Sequence, residues 1–477
     1  MSPEKYLPTW NSLKRHRSPD WLDDAKFGIY FHWGPYSVPA HLNEWYPTLM
    51  YRRVVKRFHE NNFGTLTEFG YKDFIPLFTA EKFNADEWAR LFKQAGAQFA
   101  GPVAEHHDGF SMWDSKVNRW NSVNMGPKRD IVGEMEKAIR KQGMKFVCTF
   151  HHAHNYYYYR HSDNFDTGDP QYADFYGPPH CGGMNKFDRP SKEFLDIWLA
   201  KLKEVFDNYQ PDLIYFDFGL NRIPDKYKRE MVAYYYNSAE EWGREVEIFY
   251  KDHHLPPCVG LRDYERGRMD KLTYYKWNTD TSMGEMSWGY VEGERYKPIS
   301  TIIHNLLDIV AKNGTLMLNF GPKANGEIPE EVKTGLLDIG KWMNINKEAI
   351  YNTTPWGIAE EGPTELLNAG GFSEENEVSY TSLDLRFVTK DNALYIFSLG
   401  WPEKELLIKS LIKPPVSRQK WNSEEEFYMV EEPEIKSIRL LGSDKDLTWG
   451  LTDQGLRITM PQEKPCDHAV AFKISWV

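Results

Sequence analysis

His32, His106, His107, His151, His152 and Asp217 each stand at the end of an apolar run. That is the position from which the strands of an α/β barrel deliver chemistry. The clearest run is Leu213-Ile214-Tyr215-Phe216, which passes straight into Asp217-Phe218-Gly219. An unbroken run with β-branched and aromatic members reads as a strand buried on both faces. Asp217 then emerges at its C-terminal end, although Asp at such a place also caps turns. Two chemistries suit this set. His and Asp at barrel strand ends can ligate Zn²⁺ or another divalent ion. Against that, the first strand yields His32-Trp33-Gly34 rather than two alternating histidines, and adjacent histidines in a strand face opposite sides. Neutral imidazoles can instead bond sugar hydroxyls while Trp and Tyr supply an apolar face. This sugar-pocket reading is favoured and calls for no metal and no cofactor.

Glycoside hydrolysis needs two carboxyl groups flanking the scissile bond, one ionised and one protonated. Asp217 is the ionised candidate. Its partner is sought first in Asp263-Tyr264-Glu265-Arg266-Gly267, in the loop after a strand over residues 246–250. Glu285 and Glu292, on either side of Ser287-Trp288-Gly289-Tyr290, are rivals from a later loop. Spacing alone does not choose among the three.

Alternating strands and helices must position these groups. Residues 27–31, 99–104, 145–150, 213–216, 246–250 and 315–320 read as strands, and a further element is expected over residues 272–277. Helical spacing covers residues 85–96, with Trp88, Leu91, Phe92 and Ala95 on one face and Gly96 as a stop. Further helices are expected over residues 130–142, 194–206, 225–243 and 331–344, with helical period around residues 302–310. A loop over residues 156–190, rich in Gly, Pro, Asp and Tyr, has the length of a functional wall. The alternation predicts a (β/α)8-like, TIM-type barrel over residues 1–355. Beyond it, short alternating segments separated by turn residues predict an antiparallel β-sandwich over residues 356–477.

At 477 residues the chain exceeds one compact core, consistent with two domains. A net charge of −11 argues against a nucleic-acid partner. No apolar stretch is long enough for a membrane span. Aromatic residues make up 15%, with 17 Trp and 28 Tyr, a supply of flat surfaces that stack on sugar rings. The first residues lack the apolar core of a signal peptide. That fits a cytoplasmic protein, or a periplasmic or secreted one whose leader was removed. The four cysteines share no metal-type spacing. A homo-oligomer is left open.

Several motifs now combine: residues 31–40 (Phe-His-Trp-Gly-Pro-Tyr-Ser-Val-Pro-Ala), Glu44-Trp45-Tyr46, His106-His107-Asp108-Gly109-Phe110, Ser287-Trp288-Gly289-Tyr290 and Leu318-Asn319-Phe320-Gly321-Pro322. In this order they resemble the α-L-fucosidases of glycoside hydrolase family 29. The resemblance implies a retaining exo-hydrolase with a covalent fucosyl-enzyme intermediate, acting on fucosylated glycans. It implies Asp217 as nucleophile and Glu265 as acid/base. It also implies that His32, Glu44, Trp45, His106 and His107 hold the sugar. His151 falls where many members place Tyr, and Trp288 and Tyr290 where an aromatic wall is common. Two positions depart from the pattern. Many members have Trp-Glu where this chain reads Trp277-Asn278, and Asn-Asp-Arg where it reads Tyr250-Lys251-Asp252. Lys251 supplies the arginine's charge but not its bidentate fork. A non-catalytic carbohydrate-binding protein, or a hydrolase of another sugar, are the alternatives; the first needs a lost carboxylate, and Asp217 is present.

Overall fold

A computed structural model describes residues 5–178, 189–366, 368–375, 378–412 and 434–477. Eight parallel strands close into a barrel in sequence order: β1 (Phe27–Phe31), β2 (Phe99–Glu105), β3 (Lys145–Phe150), β4 (Leu213–Phe216), β5 (Glu247–Lys251), β6 (Leu261–Asp263), β7 (Trp277–Ser282) and β8 (Gly314–Phe320). β1 closes on β8 with Phe27 opposite Leu316 and Phe31 opposite Phe320. The described helices include α1 (Ala85–Gln94), α2 (Ile131–Lys141), α3 (Lys192–Tyr209), α4 (Asp225–Trp242), α5 (Ile299–Ala311) and α6 (Glu330–Asn346).

The helix ends follow the sequence chemistry. Asn84, Asp130 and Ser191 cap α1, α2 and α3 by accepting from the third residue onward, Glu87, Gly133 and Phe194. Gly243 ends α4 in the left-handed conformation, φ 64°.

Two strands differ from the sequence expectation. Residues 272–277 do not form a strand. Tyr274 and Tyr275 in that stretch are 102% and 56% exposed, and β7 instead begins at Trp277. β6 was not anticipated at all; it is three residues long and meets β7 only at Asp263–Asn278. Both strands hide for one reason. β7 reads Trp-Asn-Thr-Asp-Thr-Ser, a polar sequence, yet every residue is buried. Its side chains bond to partners elsewhere in the fold, among them Tyr30, Asp263 and Glu374, so no apolar run announces it. No helix lies between β5 and β6 or between β6 and β7 among the described residues.

The C-terminal part holds β9 (Thr354–Glu361), β10 (Leu385–Lys390), β11 (Ala393–Ser398), β12 (Glu405–Ile408), β13 (Ile435–Leu440), β14 (Trp449–Thr452), β15 (Gly455–Thr459) and β16 (Val470–Trp476). They form two antiparallel sheets, ordered β13-β16-β11-β10-β9 and β12-β15-β14. The central strands of the larger sheet are apolar on both faces. Leu394, Ile396, Val470, Phe472 and Ile474 pack into the sandwich core. Their neighbours Tyr395, Phe397 and Ala471 pack against the barrel's own core. The period-two alternation of a strand thus serves two cores at once. Buried between barrel and sheet, Asp308 of α5 pairs with Arg386 of β10 at 2.6 Å and with Lys312 at 2.9 Å. No described helix is long and apolar enough to cross a membrane.

Candidate active site

Each strand delivers a polar residue to the C-terminal mouth of the barrel. They are His32 after β1, His106 and His107 after β2, His151 after β3, Asp217 after β4, Lys251 ending β5, Glu265 after β6, Asp280 in β7 and Asn319 in β8. The sequence reading put Glu265 after β5; β6 intervenes, and the rim position is kept. Parallel pairing fixes where these residues emerge, and the chain bonds carry past the strand ends. The N–H of His32 donates to Phe320 O at 3.1 Å, that of His151 to Glu105 O at 2.9 Å, and that of Asp217 to Phe150 O at 3.2 Å. Gly219 turns the chain away at φ 112°, where a Cβ would stand 3.1 Å from the backbone nitrogen of His154.

The pocket is lined by His32, Glu44, Trp45, His106, His107, His151, Asp217, Phe218, Lys251, Glu265, Asp280 and Trp288, around about 280 Å³ of empty space. At its floor, one buried ammonium organises three carboxylates. Lys251 Nζ lies 2.9 Å from Asp217 Oδ1, 2.5 Å from Glu265 Oε2 and 3.8 Å from Asp280 Oδ2. Burial works against the lysine's charge, but Asp217, Asp280, Glu265 and Asp263 outweigh it and hold its pKa well above the usual value. His107 Nε2 and His151 Nδ1 each stand 3.2 Å from Asp217 Oδ2.

The two carboxyl groups are driven apart. For Asp217, burial favours the neutral acid, yet the Lys251 charge and the contacts with His151 and His107 prevail. They hold it well below the usual carboxylate range. For Glu265, burial dominates, helped by Asp280 and Asp217 and opposed by Lys251; its pKa is pushed up to about 7. At neutral pH one group is an anion and the other keeps much of its proton.

His32, His106 and His151 are neutral donors and acceptors. Burial pushes His32 and His106 well below the ordinary imidazole value, and lowers His151. His32 Nδ1 lies 2.8 Å from Asn319 Oδ1, which leaves Nε2 for the pocket. His107 Nδ1 lies 2.7 Å from His151 O. His32, His106 and His151 offer nitrogens within 4.8 Å of one another, a set that could also grip a cation. Asp217, the carboxylate beside them, already has its counter-charge in Lys251.

The walls are aromatic. Trp45 stacks on Phe218 with centroids 5.8 Å apart and planes at 7°. Glu44 shapes the opposite wall from beneath: its Oε2 accepts from Ser287 Oγ and from the Trp288 N–H, both at 2.9 Å. Trp288 lies under the Arg266 guanidinium, 5.0 Å from the ring centroid.

Four sequence candidates fall outside this lining. Glu285 is exposed and pairs with Arg295 at 3.2 Å. Glu292 is exposed and accepts from Tyr290 Oη at 3.1 Å, which turns Tyr290 away from the pocket as well. His152 is buried against Trp198, ring centroids 6.0 Å apart, behind the strand ends. Conversely, sequence reasoning missed Asp280, Phe218 and a buried acid layer. Tyr30 Oη donates to Asp280 at 2.7 Å, and Tyr215 Oη donates to Asp280 at 3.1 Å and to Asp263 at 3.3 Å. The departing residue Asn278 belongs here too, donating to Asp263 at 2.5 Å. The alternating Thr279 and Thr281 were the available signal for β7, and hence for Asp280 between them.

A barrel whose strand ends converge on two unequal carboxyl groups under an aromatic wall is the architecture of a glycoside hydrolase. Comparisons with known proteins define it further. Residues 1–348 match the family model for alpha-L-fucosidase, and residues 375–475 the model for the alpha-L-fucosidase C-terminal domain. The tissue alpha-L-fucosidase of Bos taurus is 32% identical over 498 aligned residues, covering 99% of this chain and 91% of the relative. The plasma alpha-L-fucosidase of Homo sapiens is 28% identical, covering 99% and 93%. Among solved structures, the Thermotoga maritima alpha-fucosidase in complex with fucose superposes with a TM-score of 0.74. It is 28% identical and covers 98% of this chain and 100% of its own. A Bacteroides thetaiotaomicron alpha-L-fucosidase, 19% identical, shares the fold at a TM-score of 0.67, covering 97% and 96%. The chain belongs to the α-L-fucosidase family, and its activity is hydrolysis of α-L-fucosides.

Proposed function

We propose that this fucosidase removes terminal α-L-fucosyl residues with retention of configuration, by double displacement between Asp217 and Glu265. The supporting observation is the shared ammonium. Bonds of 2.9 and 2.5 Å meet at Lys251 Nζ, so the two carboxylate oxygens can be no further apart than those bonds laid end to end. That limit falls in the about 5–5.5 Å separation of retaining glycosidases, short of the about 6.5–9.5 Å that leaves room for an inverting water. The pocket, closed below by the strand ends, suits one terminal sugar.

In the first step an Asp217 oxygen bonds to the anomeric carbon while the bond to the leaving oxygen breaks. Glu265 gives its proton to that oxygen, so the aglycone departs as an alcohol. In the second step Glu265, now ionised, takes a proton from water. The water oxygen bonds to the anomeric carbon and Asp217 is released. Two inversions restore the starting configuration. The unequal pKa values match these roles, since the nucleophile must be charged and the acid must hold a proton. Once Asp217 is esterified, its charge no longer raises the Glu265 pKa, which helps the same group act as base. His32, His106, His107 and His151 would bond the hydroxyls, with Trp45 and Trp288 against the ring.

The test is release of nitrophenol from an aryl α-L-fucoside by the wild type beside Asp217→Gly. The variant is expected to lose activity, to regain part of it with azide, and to yield a fucosyl azide of inverted configuration. Undiminished activity in Asp217→Gly, or an azide product of retained configuration, would overturn the assignment.

A further inference from the structure

Glu265 sits in a short stretch with no helix to support it, and its loop is held from two sides. From within the barrel, the N–H groups of Tyr264 and Arg266 donate to Asn278 O and Asp280 O of β7, at 2.9 and 2.8 Å. From outside, a segment about a hundred residues later, in the crossover between β9 and β10, runs along it. The Phe372 N–H donates to the carbonyl of Glu265 itself at 2.6 Å, the Glu374 N–H to Arg266 O at 2.8 Å, and the Gly370 N–H to Arg268 O at 2.8 Å. Three carbonyls of the loop, those of Glu265, Arg266 and Arg268, are thus fixed by one strap.

The strap is itself anchored by one carboxylate. Glu374 accepts from Thr281 Oγ1 of β7 at 2.5 Å, from Lys297 Nζ at 2.8 Å and from Asn305 Nδ2 of α5 at 3.0 Å. Lys297 also donates to Thr281 Oγ1 at 2.8 Å. The strap pays a conformational cost for its path, with Phe372 in the left-handed region at φ 58° and its ring 53% exposed. A backbone held in that conformation needs surroundings that insist on it, and the Glu374 anchor supplies them.

We propose that Glu374 is a positioning residue for the proton-transfer step: it clamps the 370–374 strap to β7 and α5, and through the strap fixes where the Glu265 carboxyl stands. The inference rests on Glu265 being the acid/base. Glu374 touches neither substrate nor the pocket lining; it acts through the backbone of Glu265 and Arg266. A misplacement of about 1 Å in a proton donor costs up to about a hundredfold. The cost falls where the proton matters most, on substrates whose leaving group cannot depart as an anion. The charged groups that face Glu265 are Lys251 from β5, Asp217 from β4 and Asp280 from β7. A loosened loop lets the carboxyl reach water, which removes the burial that raises its pKa.

The experiment compares wild type, Glu374→Ala, Glu374→Gln and Glu265→Gln on two substrates. One is an alkyl α-L-fucoside, whose leaving oxygen needs a proton; the other is a dinitrophenyl α-L-fucoside, whose leaving group does not. Thermal melts identify folded variants, and the isosteric Glu374→Gln keeps the test open should Glu374→Ala not fold. For Glu374→Ala, kcat on the alkyl fucoside is expected to fall about tenfold or more. On the dinitrophenyl fucoside kcat/KM, which reports the first step, should change less than about twofold, whereas kcat there reports the water step and falls together with KM. The basic limb of the kcat/KM profile on the alkyl fucoside should move to lower pH. Glu374→Gln keeps one acceptor oxygen, enough for Lys297 and Asn305 or for Thr281 but not for both sides, and should fall between. Equal losses of kcat/KM on both substrates, or wild-type kinetics in a folded Glu374→Ala, would overturn the positioning role while leaving the acid/base intact. Wild-type kinetics in Glu265→Gln would instead overturn the acid/base assignment, and the inference with it.

Discussion

The two sides of the barrel hold their carboxyl groups by different means. From β1 to β4 every strand is followed by a helix before the next begins, and Asp217 leaves β4 with its N–H bonded to Phe150 O of the adjacent strand. From β5 to β7 no helix intervenes, and Glu265 leaves a strand of three residues whose loop is bonded by β7 and by the strap at 370–374. The first side is held by regular strand pairing, the second also by a segment about a hundred residues further along the chain. The difference suits the two roles. A nucleophile attacks along one line and is fixed by the regular strand geometry. An acid/base must serve two successive proton transfers and keep a raised pKa, so its surroundings have to be assembled with more freedom. Lys251 joins the two sides, because the same ammonium neutralises Asp217 and restrains Glu265.

The largest effect should come from removing the charge on each side in turn. Asp217→Asn is expected to lower kcat on every fucoside by about 10⁴-fold or more. Glu265→Gln should cost about 10²–10⁴-fold in kcat/KM on alkyl fucosides and little in kcat/KM on a dinitrophenyl fucoside, where the lost base shows in kcat instead. Steady-state kinetics on the two substrates check both; the same leaving-group dependence in the two variants would erase the distinction between the sides. Next in size is the group that joins them. Lys251→Met leaves buried carboxylates without their cation, and urea denaturation should show a loss of about 3–5 kcal/mol. An unchanged denaturation midpoint would mean that Lys251 does not neutralise the cluster.

The pH profile sharpens the comparison without a mutation. The proposed mechanism requires Asp217 ionised and Glu265 protonated. With Asp217 held low, the acid side should stay active to well below neutral. With Glu265 at about 7, kcat/KM should decline as pH rises through that value. Glu265→Gln should flatten this basic limb; a limb that persists belongs to another group. The smallest effect is expected at Tyr290, whose hydroxyl faces Glu292 rather than the pocket. Tyr290→Phe should leave KM within about twofold, whereas Trp288→Ala, which opens the aromatic wall, should raise it clearly more.

What could be read in the sequence follows the same division. The strands that deliver His32, His106, His151 and Asp217 announce themselves as apolar runs, because a parallel barrel strand is buried on both faces and its own residues must supply the burial. The helices over α1 to α4 are equally legible, since capping residues and a helical stripe are local. The sandwich shows as alternation, although only tertiary packing reveals that β11 and β16 serve the barrel core with one face and the sandwich core with the other.

By itself, then, the sequence determined the barrel, the strand-end histidines, Asp217 as the leading carboxylate and the resemblance to fucosidases. It could not choose among Glu265, Glu285 and Glu292, nor find β6, β7 or Asp280. Only the tertiary structure decided which carboxyl meets Lys251, and which segment supports it. The physical reason is the range of the interactions. Apolar burial is encoded in a residue and its near neighbours, so a window of sequence reveals it. A buried polar strand or a raised pKa exists only through partners brought from elsewhere: Tyr30 and Tyr215 for Asp280, burial beside Asp280 and Asp217 for Glu265, and Glu374 for the loop that carries it.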